Sequence, residues 1–234
     1  MNPADFKASA GGKIVKTSQG FCAFVPKPLP PPITYDEQTV QLLSDADRAL
    51  GRLAGIGQLL PNPHLLIAPY MRREAVLSSR IEGAQASLSD LLYFEAGDKD
   101  PPQSADVQEV LNYVRAMQFG LSRLEQLPLS LRLLKEIHEI LMEGVRGENR
   151  NPGEFRESQN WIGPPGCNLN EASFVPPPRT EMLKALDSWE KFVHEDKSVP
   201  PLIQCALALS VRSHTSVFRR KWSSGSSPDY FLSL

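Results

Sequence analysis

Leu77-Ser78-Ser79-Arg80-Ile81-Glu82-Gly83 is the stretch from which the rest of the chain is read. Ser78 and Glu82 are four residues apart, so on a helix they share one face and the hydroxyl can brace the carboxylate. Gly83 then permits the chain to turn as the helix stops. A glutamate in a last turn opposes the negative end of the helix dipole, at a cost of about a few tenths of a kcal/mol. Spacing alone leaves two readings: a solvated helix end with a glycine stop, or a carboxylate held and aimed past the helix.

Working outward, the helix ending here begins near Leu65, takes Pro69 in its first turn, and runs through Met71, Ala75 and Ile81. Before it, Leu42, Leu43, Ala46, Leu50, Leu53 and Gly57 have the spacing of an amphipathic helix from Asp36 to Leu60, stopped by Pro61 and Pro63. Residues 1–35, with Pro26, Pro28, Pro30, Pro31 and Pro32, read as an extended arm, because proline lacks a backbone donor and favours polyproline-like chain. After Gly83, Ser87 with Asp90 three residues on predicts the start of a short helix ending near Gly97. A polar loop with Pro101-Pro102 follows, and helical spacing returns over Ala105 to Leu124 and, capped by Ser130, over Leu131 to Gly144. Arg179 to His194 and Pro200 to Leu209 are two more helical stretches, the second apolar nearly all round and so expected at the centre of a bundle. The predicted fold class is all-α, a helical bundle from Asp36 to Ala208 with a short β-hairpin between Arg146 and Pro178. Its parts are residues 36–100 and 101–208, followed by a tail, 209–234, in which the helical period is lost.

A formal net charge of −2 removes any global reason to expect nucleic acid or an anionic membrane surface as partner. No run approaches the ~20 apolar residues of a membrane span, and no N-terminal apolar stretch has signal-peptide length. Cys22, Cys167 and Cys205 are odd in number and scattered, which fits neither a disulfide framework nor a zinc knuckle and points to a reducing cytoplasm. His64, His138, His194 and His214 are isolated, and His138-Glu139 lacks the second histidine of a zinc helix, so they read as structural. No metal ligands or phosphate loop are predicted; Ser223-Ser224-Gly225 lacks the required glycine and lysine frame.

The segment Arg146-Gly147, Pro152 to Arg156, Gln159 to Gly163 and Phe174 to Pro178 is bounded by glycine and proline, with strand pairing expected between Asn160–Gly163 and Ser173–Val175. Asn160, Trp161, Ile162 and Gly163 suit a flap that registers an extended peptide by backbone pairing. A packed surface hairpin with Trp161 in the core explains the same residues.

Together these residues resemble a Fic protein of the class whose inhibitory helix precedes the catalytic core. Ser78, Glu82 and Gly83 match the family's inhibitory Ser/Thr-x-x-x-Glu-Gly/Asn, with Glu74-Ala75-Val76-Leu77, Leu88 and Leu91-Leu92 also similar. Arg146 to Pro178 is similar to the family's flap, and Pro200 to Ala208 to the approach to its active-site helix. The resemblance implies ATP-dependent transfer of AMP to a hydroxyl of a protein substrate, with ATP and magnesium as cofactors and a homodimer among the partners. In the family, His-Pro-Phe-x-Asp/Glu-Gly-Asn-Gly-Arg-x-x-Arg supplies the base, the metal ligand, the phosphate loop and the arginine that the inhibitory glutamate pairs with.

The sequence departs from the family at this place: after Ala208 it holds neither His-Pro-Phe nor Gly-Asn-Gly-Arg, and His214 is not the catalytic histidine. Read one base out of frame from the Ala208–Leu209 junction, the genetic code permits H-Y-Q-F-E-A-I-H-P-F-S-D-G-N-G-R-L-G-R-L-L-I-T-F-F-L. Two junctions leave little freedom: Lys221 into Trp222 must give Asn or Ser, and Trp222 into Ser223 must give Gly. Residues 209–234 are therefore read as out-of-frame translation, and the chain as a truncated adenylyltransferase with no catalytic residue of its own, in which neither ATP nor magnesium binds productively. A different class of reading is a regulatory or dimerisation module that keeps the inhibitory helix and flap; a third is a helical remnant without activity.

Overall fold

The computed structural model describes residues 11–81, 83–97, 105–145, 148–149, 151–164, 166–195, 198–215 and 218. Glu82, Pro101-Pro102, Arg146-Gly147 and residues 219–234 lie outside them, as do the side chains of His64 and His214. The fold is mostly helical, as the periodicity predicts. Its helices are α1 (Glu37–Leu59), α2 (His64–Ile81), α3 (Leu88–Glu95), α4 (Ala105–Arg123), α5 (Leu131–Leu141), α6 (Arg179–Glu195) and α7 (Pro201–Thr215).

Local chemistry sets the helix ends. Asp36 caps α1 by accepting from the Thr39 amide at 2.7 Å. Ser87 and Asp90 form a reciprocal capping box at the start of α3. Ser130 caps α5, and the neighbouring Leu131 amide is taken by the Glu190 carboxylate of α6 at 2.8 Å. Past Ile81, Gly83 at φ 94° donates to the Arg80 carbonyl and Ala84 to the Ser79 carbonyl. That bond pair is a Schellman stop, which consumes two of the helix's last carbonyls. Pro69 sits in the second turn of α2, not the first, because the helix starts at His64.

The main core lies where α2, α3 and α4 meet, around Ala75, Val76, Leu91, Val107, Val110 and Val114. Asn112, fully buried on α4, donates to the carbonyls of Leu141 at 3.3 Å and Glu143 at 2.6 Å, tying the end of α5 to the bundle.

Three further expectations change. The arm contains an antiparallel pair, β1 (Gly12–Lys16) and β2 (Cys22–Pro26), in register from Gly12 opposite Pro26 to Lys16 opposite Cys22. Phe21, Ala23, Phe24 and Val25 are buried there, so apolar burial outweighs the extended preference of the prolines that follow. Within the expected flap hairpin, strand pairing reduces to one antiparallel bridge, Ile162 to Phe174, because the intervening residues turn through Pro164, Gly166 and Asn168. Finally, α7 continues helically past Leu209 to Thr215 and is not enclosed: it packs on α6 and β2, while Cys205, Ala206 and Leu209 are exposed. Among the described residues α1 buries none of its side chains.

Candidate functional site

Two regions hold the residues singled out from the sequence. The first is the end of α2. Ser78 is buried, and its hydroxyl donates to the Glu74 carboxylate one turn back, at 2.8 Å. A hydroxyl has one proton to give, and here Glu74 receives it. Gly83 takes the positive φ that the sequence reading assigns to it. Arg80 reaches forward to the Ala86 carbonyl at 3.2 Å, folding the turn after α2 back on the helix.

The second is the flap. Its backbone is anchored on the N-terminal hairpin, where the Phe24 amide donates to the Val175 carbonyl at 2.8 Å. Ile162 then pairs with Phe174, amide to carbonyl at 2.8 Å, and both side chains pack with Phe24 and Ile14. Gly163 fits because a Cβ there would lie 2.6 Å from the Cys167 sulfur. Trp161 is 40% exposed, with its indole N–H on the Cys167 carbonyl at 3.2 Å, so it is a surface residue and not a core one. Asn160 Nδ2 donates to the Phe218 carbonyl at 3.2 Å.

That last contact opens a part of the site with no sequence signal. Phe218 and Thr215 meet the flap: Phe155 and Phe218 form an antiparallel bridge, and the buried Arg156 donates to the carbonyls of Ser158, Pro177 and Thr215. Arg156 thus joins both sides of the flap to the C-terminal end of α7, where a cation also suits the helix dipole. Burial lowers its guanidinium to about 10, which leaves it charged at neutral pH. Beneath, the His138 ring stacks on Phe218 with centroids 3.9 Å apart and planes 3° from parallel. His138 Nδ1 accepts from the Gly153 amide at 2.9 Å, and burial pushes the imidazole down to about 4. It is a neutral structural histidine.

Ala75 and Val76, just before Ser78 on α2, belong to the α2–α4 core, whereas Ile162 belongs to the cluster around Phe24; the two predicted regions rest on different parts of the interior. Sequence reading missed Glu74 as the partner of Ser78, and the roles of Asn112, Arg156 and Phe218. A signal existed only for the hairpin supporting the flap: Ile14-Val15 and Phe21 to Val25 flank a polar turn ending in Gly20, the composition of a β-hairpin. Among the described residues no three His, Cys, Asp or Glu side chains gather as a cation site, and no helix is long and apolar enough to cross a membrane.

Residues 40–122 match the family model "Fic/DOC family N-terminal". The fold is similar to the crystal structure of a Fic family protein from Desulfovibrio desulfuricans, with a TM-score of 0.64 at 18% identity. That match covers 86% of this chain and 57% of the other, so the chain spans little more than half the length of the protein it resembles. Residues 40–122 are thus similar to the N-terminal region of the Fic/DOC family, in a chain that shares the fold of a Fic family protein.

Proposed function

We propose that this chain is the N-terminal and central part of a Fic-type protein AMP-transferase whose reading frame leaves the family's after Ala208, and that as written it transfers no AMP. The observation that carries this reading is the place where the chain emerges from α7. In the out-of-frame reading, His, Pro and Phe are encoded across the junctions Thr215–Ser216, Ser216–Val217 and Val217–Phe218. The first of these is the last residue of α7, and Phe218 lies paired with the flap at Phe155. A motif beginning there would enter the site at a helix end beside a strand suited to a protein substrate.

ATP and magnesium do not fit the residues present. The sequence supplies no acidic residue in a His-Pro-Phe frame, no Gly-Asn-Gly and no Arg-x-x-Arg to grip a triphosphate. Without base, metal ligand and anion cradle together, the loss in transition-state stabilisation amounts to many kcal/mol.

Two measurements test the reading. Resequencing the coding DNA around the Ala208 codon should show a one-base slip. Radiolabel transfer from ATP by the purified 234-residue chain should equal the no-enzyme background; transfer above it would overturn the proposal.

A further inference from the structure

Thr39, Leu42, Ala46, Ala49, Leu53 and Ile56 of α1 follow one another at steps of three, four, three, four and three, the 3.5-residue repeat of a coiled-coil seam. Among the described residues α1 buries none of its side chains, and Leu42, Leu53 and Ile56 stand 61%, 66% and 57% exposed. Leu43 and Gly57 on the adjoining flank are half-buried, whereas Ala49, within the seam, is exposed. The order of the steps is a palindrome, so the seam reads alike from either end. It can therefore close on itself about a two-fold axis, as an isologous contact requires.

We infer that α1 pairs antiparallel with α1 of a second copy of this chain through that seam. With the axis passing between Asp47 and Arg48, Thr39 meets Ile56 of the second copy, Leu42 meets its Leu53, and Ala46 meets its Ala49. The alanine layers fall at the centre, where small side chains let the two backbones come close, and larger side chains close both ends. Charge favours this direction. Asp45 and Arg52 flank the seam on one side, and the antiparallel register sets Asp45 of each copy beside Arg52 of the other. A parallel pair would face those charges with Leu50 and Gly57 and gain nothing from them. Within its own helix Asp45 lies 3.2 Å from Arg48, an exposed pair worth little, so its carboxylate is free to be shared. Helix α1 has 23 residues and is about 35 Å long, so the pair is small beside a standard interface of roughly 800 Å² per partner, and its dissociation constant belongs on the order of 10–100 µM. A homodimer is otherwise only an implication of the family resemblance; direction and register come from α1 itself, and neither depends on AMP transfer or on the reading frame.

Sedimentation equilibrium of the full 234-residue chain tests the pairing. The mass should pass from monomer to dimer as concentration rises through that range. Leu53→Gln combined with Ile56→Gln should weaken association at least about a hundredfold, since apolar side chains of both copies leave the contact. Asp45→Arg alone and Arg52→Asp alone should each weaken it about tenfold or more, because each sets like charges opposite one another at both ends of the two-fold contact. Mixed in equal amounts, the two charge variants should dimerise again at the concentrations that suffice for the wild type, since each then offers the other its opposite charges. That rescue would also show that both variants fold. A chain that stays monomeric up to about 1 mM would overturn the pairing and leave the seam to a different partner. So would association that the charge reversals leave untouched, or a mixture of the two variants that fails to dimerise.

Discussion

At the residue scale, a buried hydroxyl takes the carboxylate within reach, and two are spaced equally from Ser78 in sequence. Glu74 and Glu82 sit at i−4 and i+4, so helical spacing identifies Ser78 as a bracing residue without fixing its partner. The structure gives the proton to Glu74. Ser78→Ala should therefore destabilise the chain by roughly 0.5–1 kcal/mol, less than a full charge-assisted bond because alanine is the better helix former. Urea unfolding would show it; an equal or more stable variant would mean the bond contributes nothing. His138 makes a pH prediction. Its folded pKa of about 4 lies below the ordinary 6.5, so the unfolded chain takes up a proton first as pH falls. That contribution is full above pH ~6.5 and is lost progressively down to ~4, amounting to about 3 kcal/mol in all. Stability measured at pH 7 and pH 5 should differ by about 2 kcal/mol, and His138→Gln should flatten the slope over that window. No sequence pattern marks His138 or Arg156 as buried, because groups that cover them come from segments as far as 80 residues away.

Elements were legible where one face repeats and neighbours break it. The helices appear where periodicity places them, with ends set by Asp36, Ser87, Ser130 and Gly83. Periodicity does not say what a face meets. In α1, Leu42, Leu53, Ile56 and Leu59 form apolar surface that stays more than half exposed, and α7 keeps Leu209 outward. Leu53→Gln combined with Ile56→Gln should thus change the stability of the dilute monomer by no more than about 0.5 kcal/mol. Leu91→Ala, at a site with no exposure, should cost roughly 2–5 kcal/mol. A loss above about 1 kcal/mol in the α1 double variant at that dilution would show that its apolar face is packed within one copy. The hairpin β1–β2 carries a composition signal that the neighbouring prolines overrode in reading the arm as extended. Its strands are five residues each beside a proline run, and their value lies in long-range support of the flap through Phe24 and Val175.

For the whole molecule, the proposal predicts what restoring one base at the Ala208 codon would do. The restored chain should become a weak adenylyltransferase, since α7 already ends beside the flap and the motif would continue from it. Glu82→Gly in that chain should raise transfer by about tenfold or more, on the order of 1.4 kcal/mol. The reason is electrostatic: a carboxylate at the end of α2 would pair with the motif's last arginine, and its removal leaves that cation for phosphate. Ser78→Ala should raise transfer much less than Glu82→Gly, because the Ser78 hydroxyl is committed to Glu74 and braces Glu82 only if it turns round. In the unrestored chain neither substitution should change the background. Label transfer by restored wild-type, Glu82→Gly and Ser78→Ala proteins at saturating ATP separates these outcomes. Equal or lower transfer by the Glu82 variant would make the end of α2 a scaffold; equal gains from both variants would return Ser78 to the role of a direct brace on Glu82.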